Sequence, residues 1–310
     1  MIISVLAKSS GFFSTFFFTL NHYIFCKRNK QNFQINSQYW LFKYKNGWTD
    51  YFNNVMLRFS EDNSNQIQQF GHMNELGSYS LYEYKAAIKE LYVYNDTIKE
   101  LIKSKKNEYG LTDNNYDSIF IRRGDKMTWE SKLIPTHKYI ELLLEKNPNC
   151  NTIFLQTDDY NCYQELEEYV QQNHLNIRVI CFCDPKYKGG MVMNRYNLVH
   201  GLEPESKKED GKNYEYVSTN IENYLQNKPV NEMNPDEIYK HTTEMIIGLD
   251  IVFCSNICIV DYQSNVSRFI KLAHNNIDNV IDVYNSNTLD MDQTKCPAYD
   301  TYGFENYGAC

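Results

Sequence analysis

The sequence predicts an α/β fold with two domains that face each other across a cleft. The chain has 310 residues, which exceeds the size at which one hydrophobic core usually stops growing. A loop with Gly11 separates a short apolar strand from an apolar helix near the start, as in a mononucleotide-binding unit. Strand-like and helix-like segments then alternate between 118 and 182, a spacing typical of βαβ units and a parallel sheet.

In the first half of the chain, the apolar stretch 11–26 could be taken for a signal peptide or a membrane anchor. Asn21 and His22 interrupt it, and it falls short of the roughly 20 residues that a spanning helix needs. We therefore expect a buried helix there and no integral membrane segment. The other elements predicted in this half are strands at Ile2–Leu6 and Phe33–Ile35, a helix over Leu81–Lys105 and a charged linker at Lys103–Asn115.

In the second half, the charged segment 186–230 interrupts the alternation and is expected to be a mobile insertion. We expect an N-terminal α/β domain over 1–110, a nucleotide-binding domain over 111–285 and a tail over 286–310. The predicted strands are Ser118–Ile121, Thr152–Gln156, Ile177–Phe182 and Ile251–Cys254. The predicted helices are Thr136–Lys146, Asn161–Gln172, Pro235–Leu249 and Ser264–Asn275.

Composition restricts the class of protein and of ligand. Hydrophobic residues make up 42% and aromatic residues 15% of the chain, which excludes a disordered protein. The net charge of −8 argues against broad binding to nucleic acid or anionic lipid, so the expected ligand is a small anion. Nine cysteines without CxxC pairs make a disulfide framework improbable and favour the cytoplasm. A lysine- and asparagine-rich composition suits an AT-rich genome such as a virus, in which case the compartment is the host cytoplasm.

A cluster of charges follows the predicted strand Ser118–Ile121. Only 7 of the 31 basic residues are arginines, and two of them, Arg122 and Arg123, are adjacent here. A guanidinium presents a planar fork of donors that matches two phosphate oxygens. With Lys126 and Glu130 in the same loop, the cations could neutralise a leaving diphosphate while the carboxylate takes a proton from a hydroxyl. A plain surface loop with an Arg–Asp salt bridge explains the same residues.

Two further segments at strand ends allow a functional and a structural interpretation. Asp158 and Asp159 could bind a metal ion, but capping of the next helix explains an acid there, and we favour the cap. Ser264 begins a helix whose free amides could hold an anion, although a plain N-cap is commoner. The sequence contains no HxxxH, HExxH, GxSxG or Walker pattern, which excludes zinc proteases, serine hydrolases and P-loop enzymes.

Five segments in the same order resemble the α1,6-fucosyltransferases. Ile119–Lys126 with Glu130 and Pro135 is similar to their HVRRTDK segment. Ser37–Trp40 with Asn46–Phe52 resembles their SQNW and GGW segment, and Thr157–Asp159 resembles their TDD segment. Asn194–Tyr196 resembles their HNRY segment, and Asp250–Cys254 with Ser264–Arg268 resembles their ADFLVCTFSSQVCR segment.

The resemblance implies a GT-B fold, two Rossmann-like domains, and an inverting transferase that needs no metal or cofactor. Its substrates are a nucleotide sugar, GDP-fucose, and a glycan acceptor held on the side of the first domain. Arg122 would bind the β-phosphate, Lys126 would stabilise the leaving diphosphate, and Glu130 would be the base. Arg123 and Asp125 are expected at the nucleotide site, more plausibly as braces of its loop. The resemblance also implies that seven further residues bind the nucleotide sugar: Asn194, Arg195, Tyr196, Thr242, Glu244, Ser264 and Asn265.

The chain also departs from the family pattern. Phe120 stands in place of the histidine before the arginines, and Gly124 in place of a threonine. The acid that contacts guanine corresponds to Thr242, with Glu244 two residues later, and an insertion at 256–263 precedes Ser264. A transferase with another nucleotide sugar, or a catalytically silent nucleotide- or glycan-binding module, therefore stays an alternative.

Overall fold

The first half of the chain forms a small sheet and three helices. In the computed structural model, the described residues are 2–6, 10–59, 79–124, 133–193 and 221–284. Strand β1 (Ile2–Val5) pairs in parallel with β2 (Phe33–Asn36), which pairs antiparallel with β3 (Met56–Leu57). Helix α1 (Phe12–Arg28) connects β1 to β2, as the mononucleotide-type opening predicts.

Helix α1 confirms the prediction of a buried helix in the stretch 11–26. Four of its six phenylalanines are buried, and so are its polar residues Asn21 and His22. His22 shares a hydrogen bond of 2.9 Å with the Ser4 hydroxyl of β1, and burial lowers its pKa to about 4, so the ring is neutral in the core. Among the helices in the described ranges, none is long and apolar enough to cross a membrane.

The helix predicted over Leu81–Lys105 is wrong as a single element, because the chain breaks between two helices. Helix α2 (Leu81–Leu91) starts with a capping box of Ser80 and Glu83. Helix α3 (Asp96–Tyr109) starts again at Asn95, whose side chain accepts from the Ile98 amide. The cap forces an extended backbone at Asn95 that a continuous helix cannot hold. Helix α3 also occupies much of the predicted linker and ends at Gly110, with φ of 66°.

The second half is a parallel five-stranded sheet in the order β6-β5-β4-β7-β8. The first three strands confirm the predicted alternation. The strands are β4 (Asp117–Ile121), β5 (Thr152–Thr157), β6 (Arg178–Cys181), β7 (Cys258–Val260) and β8 (Val280–Asp282). The helices are α4 (Thr136–Lys146), α5 (Tyr160–Gln172), α6 (Ile221–Gln226), α7 (Pro235–Phe253) and α8 (Asn265–Ala273). This strand order is that of a doubly wound Rossmann sheet.

The strand predicted at Ile251–Cys254 is wrong, because helix α7 continues to Phe253. The last turns of α7 are buried on nearly every side, and a short apolar run in such a helix cannot be told from a buried strand by its pattern. The strand lies further along, at β7. The segment 256–263 is therefore not an insertion, since it contains the strand that leads to Ser264.

Aromatic rings connect the two halves into one continuous core. Phe269 of α8 packs against Phe13 and Phe16 of α1, with ring centroids 4.8 and 5.1 Å apart. Tyr239 of α7 stacks on Tyr44 and Tyr51 of the segment after β2, at 4.5 and 5.6 Å. The carboxyl end of β2 and the start of α1 thus face α7 and α8. The domain division near residue 110 stays a prediction. The tail 286–310 lies outside the described residues, as does most of the segment 186–230.

Candidate active site

The candidate site lies at the carboxyl edge of the large sheet, where the strand order reverses between β4 and β7. Ligands of open α/β sheets bind at this switch point, because neighbouring connections leave the edge in opposite directions and open a crevice. Arg122 is the first residue after β4, and Asp261 is the first after β7. Asp158 and Asp159 follow β5, the neighbour on the other side. The strand pairing therefore brings two of the predicted segments and Asp261 to one edge.

Arg122 is held in place by the loop after β5. Its Nη1 atom donates a hydrogen bond to Asp158 Oδ2 and another of 2.7 Å to the Arg123 carbonyl. Asp158 is itself fixed, since it accepts from the backbone amides of Arg123, at 2.8 Å, and Met191, at 3.0 Å. The side chain of Arg122 keeps 17% of its surface exposed. A partly exposed guanidinium with a fixed orientation is suited to binding an anion at the edge.

Arg123 has a different environment, because its side chain is only 2% exposed. Its guanidinium donates to both carboxylate oxygens of Glu165, at 3.2 and 3.0 Å, and to the Thr136 hydroxyl at 3.0 Å. Asp159 lies 3.7 Å from the same guanidinium. These contacts tie the loop after β4 to α4 and α5. They favour the bracing role of Arg123 and leave its guanidinium out of direct reach of a ligand.

Gly124 and Gly190 allow two loops to approach each other closely. Both have a positive φ, of 69° and 92°, which side chains disfavour. A β-carbon on Gly124 would collide with the Met191 carbonyl oxygen and lie 2.9 Å from Asp158 Oδ2. A β-carbon on Gly190 would lie 2.5 Å from the Gly124 nitrogen. The replacement of the family threonine by Gly124 thus has a steric reason in this chain.

The favoured interpretation of Asp159 as a helix cap is confirmed. Its Oδ1 atom accepts from the Asn161 amide at the start of α5, at 2.9 Å, and from the Gly189 amide at 2.7 Å. Its neighbour Asp158 is engaged by Arg122. Within the ranges that the structure describes, no group of three histidine, cysteine or acidic side chains has the arrangement of a metal site.

The start of α8 also lies at this edge, after the short loop that follows β7. Ser264 is its N-cap, and the hydroxyl accepts from the Ser267 amide at 3.1 Å. Asn265 accepts from Arg268 Nη1 at 3.2 Å. The plain capping role is therefore present. The first turn of α8 lies beside the exit of β4 because β4 and β7 are neighbours.

Asp261 is a site residue that the sequence analysis missed. It is 4% exposed, and its carboxylate accepts from the Gln263 amide at 2.9 Å and from the Tyr139 hydroxyl at 3.2 Å. Burial raises its pKa to about 6. An isolated aspartate after an apolar run is the only signal in the sequence. The same pattern is common at ordinary strand ends, so it could not have distinguished this residue.

Thr242 and Glu244 do not form a common site on α7. Thr242 is buried, and its side chain lies beside the Tyr51 hydroxyl of the first half. Glu244 is half-buried and 3.9 Å from Lys240, and burial raises its pKa. Their assignment to the nucleotide site by resemblance stays a prediction.

Several predicted site residues lie outside the described part of the chain, so their positions stay predictions. Arg122, at the carboxyl edge, is three residues before the first of them in the sequence. Met193 directly precedes Asn194, and its carbonyl accepts from the Asn231 amide at 3.2 Å. The residues concerned are Asp125, Lys126, Glu130, Asn194, Arg195 and Tyr196.

Comparison with known proteins yields structural but no sequence matches. No family model matches the chain, and no characterised protein matches it in sequence. The structure of NodZ α-1,6-fucosyltransferase soaked with GDP-fucose matches with a TM-score of 0.52 at 8% identity, over 88% of this chain and 91% of that one. NodZ co-crystallised with GDP gives 0.52 at 9% identity, over 88% and 91%. Fucosyltransferase NodZ from Bradyrhizobium gives 0.50 at 9% identity, over 88% and 92%.

These matches confirm the predicted fold class and the resemblance at the level of the fold. They extend over nearly the whole of both chains, so the agreement includes both halves and not only the Rossmann-like sheet. The identity of 8 to 9% is too low to transfer an activity. The chain has the GT-B architecture of these fucosyltransferases.

Proposed function

We propose that the protein is an inverting, metal-independent glycosyltransferase that transfers fucose from GDP-fucose to a glycan hydroxyl. The observation that carries the proposal is the position of Arg122, a fixed guanidinium at the switch point of a fold shared with a GDP-fucose-binding transferase. Five ordered sequence segments support the same assignment. The seven cysteines in the described ranges are free thiols, which supports a reducing compartment such as the cytoplasm.

The proposed reaction needs three groups in one loop. Glu130 takes the proton of the acceptor hydroxyl, whose oxygen then attacks the anomeric carbon of the donor. The bond between that carbon and the β-phosphate oxygen breaks, and GDP leaves with the bonding electrons. Arg122 and Lys126 balance the negative charge that develops on the diphosphate. Because two cationic side chains provide this charge, no metal ion is required by the scheme.

The first turn of α8 offers a second contact for the diphosphate. The helix starts shortly after β7, the sheet neighbour of β4, and the N-terminal end of a helix favours negative charge. In this arrangement Ser264 shapes the turn by its cap, while Asn265 and the amides face the phosphates. The exposed rim of Arg122 and this turn would hold the diphosphate from two sides.

The test is thermal unfolding with GDP, GDP-fucose, UDP and ADP, first with a chelator and then with Mg²⁺. A ligand that binds only the native state stabilises it by about 2.7 kcal/mol at 100 times its Kd. We expect shifts with both guanine ligands in the chelator. A preference for UDP would keep the fold and change the donor, and no shift with any nucleotide would favour the silent glycan-binding module.

Arg122→Ala should abolish the shift by GDP while the protein stays folded. Asp158 keeps its bonds to two backbone amides when the guanidinium is removed, so the loop retains an anchor. Arg122→Lys is the matched control, because it keeps a charge but loses the fork, and should bind GDP weakly. An undiminished shift in Arg122→Ala would move the phosphate site elsewhere.

Glu130→Gln should leave GDP binding nearly unchanged and reduce transfer by the roughly 10²- to 10⁴-fold typical of a lost general base. The measurement is transfer of labelled fucose to a panel of glycan acceptors, with GDP protection measured on the same samples. Unchanged turnover would remove Glu130 from the role of base.

A further inference from the structure

Asp261 is a buried acidic residue that follows β7 at the edge where the diphosphate is proposed to bind. The strands β4 and β7 are parallel neighbours, so the chain leaves them at the same edge, at Ile121 and Val260. Arg122 and Asp261 are the next residues on the two sides of the switch point. Three residues after Asp261 comes Ser264, the cap of α8. The carboxylate accepts from the amide of Gln263, the residue directly before this cap, so it lies beside the start of α8.

The contacts of Asp261 do not balance a negative charge. Its hydrogen bonds come from a backbone amide, that of Gln263, and from a hydroxyl, that of Tyr139, both neutral. The carboxyl group is almost fully buried, which penalises the charged form. Its pKa of about 6 follows mainly from this burial. Both protonation states are accordingly accessible near neutral pH.

The charged and titratable groups around Asp261 come from four elements of the described structure. Asp282 of β8 raises its pKa by repulsion, and Arg268 of α8 lowers it. Tyr139 of α4 donates to it, and Arg123 after β4 acts electrostatically on the same tyrosine. Asp282 is paired with Val260 across the strands, so the two acids lie on adjacent strand ends. The opposing effects of Asp282 and Arg268 leave burial as the largest cause.

We propose that the charge on Asp261 sets the affinity of this edge for the donor's diphosphate, which binds tightly when Asp261 is neutral and weakly when it is ionised. This inference rests on the proposed function. Two like charges roughly 10–20 Å apart, at an effective dielectric constant of about 20, repel by an amount that corresponds to roughly a 3- to 30-fold change in affinity. By linkage, donor binding takes up a proton, and affinity falls as the pH rises through the titration of the free protein.

The test is calorimetric titration with GDP-fucose between pH 5 and pH 8.5. Both phosphates of this donor are esterified, so its own charge stays constant over the range. In the unmodified protein we expect Kd to increase by roughly 3- to 30-fold across the range. Asp261→Asn should bind as tightly at pH 8.5 as at pH 5, because its amide oxygen still accepts from the Gln263 amide. Asp282→Asn is the matched control and should keep a pH-dependent Kd.

The outcomes separate this inference from the proposed function. If the unmodified protein and Asp261→Asn show the same pH dependence, the inference is overturned and the donor assignment stands. If neither protein binds GDP-fucose at any pH, both the inference and the proposed function are refuted. Should Asp261→Asn not fold, Asp261→Thr provides a neutral hydroxyl that can still accept from the amide. A folded neutral variant that has lost binding at all pH values would also overturn the inference, since it would make the carboxylate a required contact.

Discussion

The two sides of the switch point use their polar groups in different ways. On the β5 side, Arg122 and Arg123 pair with Asp158, Asp159 and other acceptors, so each buried charge has a partner of opposite sign. On the β7 side, the buried Asp261 carboxylate accepts hydrogen bonds from two neutral donors, the Gln263 amide and the Tyr139 hydroxyl. The first side is a frame whose charges are compensated. The second can change its charge without breaking an ion pair, and this suits it to respond to a ligand.

The strongest test of the frame is Arg123→Ala. The substitution removes the guanidinium that lies 3.7 Å from the fully buried Asp159, together with the bonds to Glu165 and Thr136. Breaking a buried ion pair from one side typically costs 3–5 kcal/mol, and we expect a loss of about that size in the free energy of unfolding. Urea unfolding followed by circular dichroism measures it.

Arg178→Ala is the control for Arg123→Ala. Arg178 is exposed and donates to the Tyr109 carbonyl, so its loss should cost less than about 1 kcal/mol. Equal losses in the two variants would show that the contacts of Arg123 contribute nothing special to the frame.

A second test compares two glycines with almost the same backbone conformation. Gly124 and Gly110 have φ of 69° and 66°, but only Gly124 has close neighbours, while a β-carbon on Gly110 would meet nothing within 4 Å. Gly110→Ala should therefore cost about 1–2 kcal/mol for the left-handed backbone alone. Gly124→Ala should cost about 1–3 kcal/mol more, because the Met191 carbonyl must move. The midpoint of denaturant unfolding is measured for both variants, and equal midpoints would refute the steric role of Gly124.

The same contrast explains how much of the site could be predicted from the sequence. The arginine pair and the acid pair could be recognised in the sequence, because arginines are rare in this chain and both pairs follow apolar strands. The parallel order of β4, β5 and β6 follows from their regular alternation with helices. The side of the edge built from these strands was therefore predictable down to the cap of α5.

The β7 side was not predictable, because its local pattern is ambiguous. The end of α7 is as apolar as a strand, and the actual strand β7 has only three residues. Asp261 becomes unusual only through tertiary contacts with α4 and β8, which are far away in sequence. Where function depends on burial of one group by distant elements, neither periodicity nor spacing carries the information.

The smallest effect, and the one that sharpens the comparison most, is the pH dependence of stability in Asp261→Asn. The folded-state pKa of Asp261, about 6, exceeds the usual value of an unfolded aspartate near 4. The native state thus holds this proton more firmly, and the corresponding stability is present at low pH and lost as the pH rises through 6. The Asp261→Asn variant has no titrating carboxyl group at this position, so it does not lose this stability. Its unfolding free energy relative to the unmodified protein should rise by on the order of 1–2 kcal/mol between pH 4.5 and pH 7 and then level off. Urea unfolding at each pH measures the difference. A difference that stays constant with pH would mean that Asp261 is ionised throughout, and the two sides of the switch point would then be electrostatically alike.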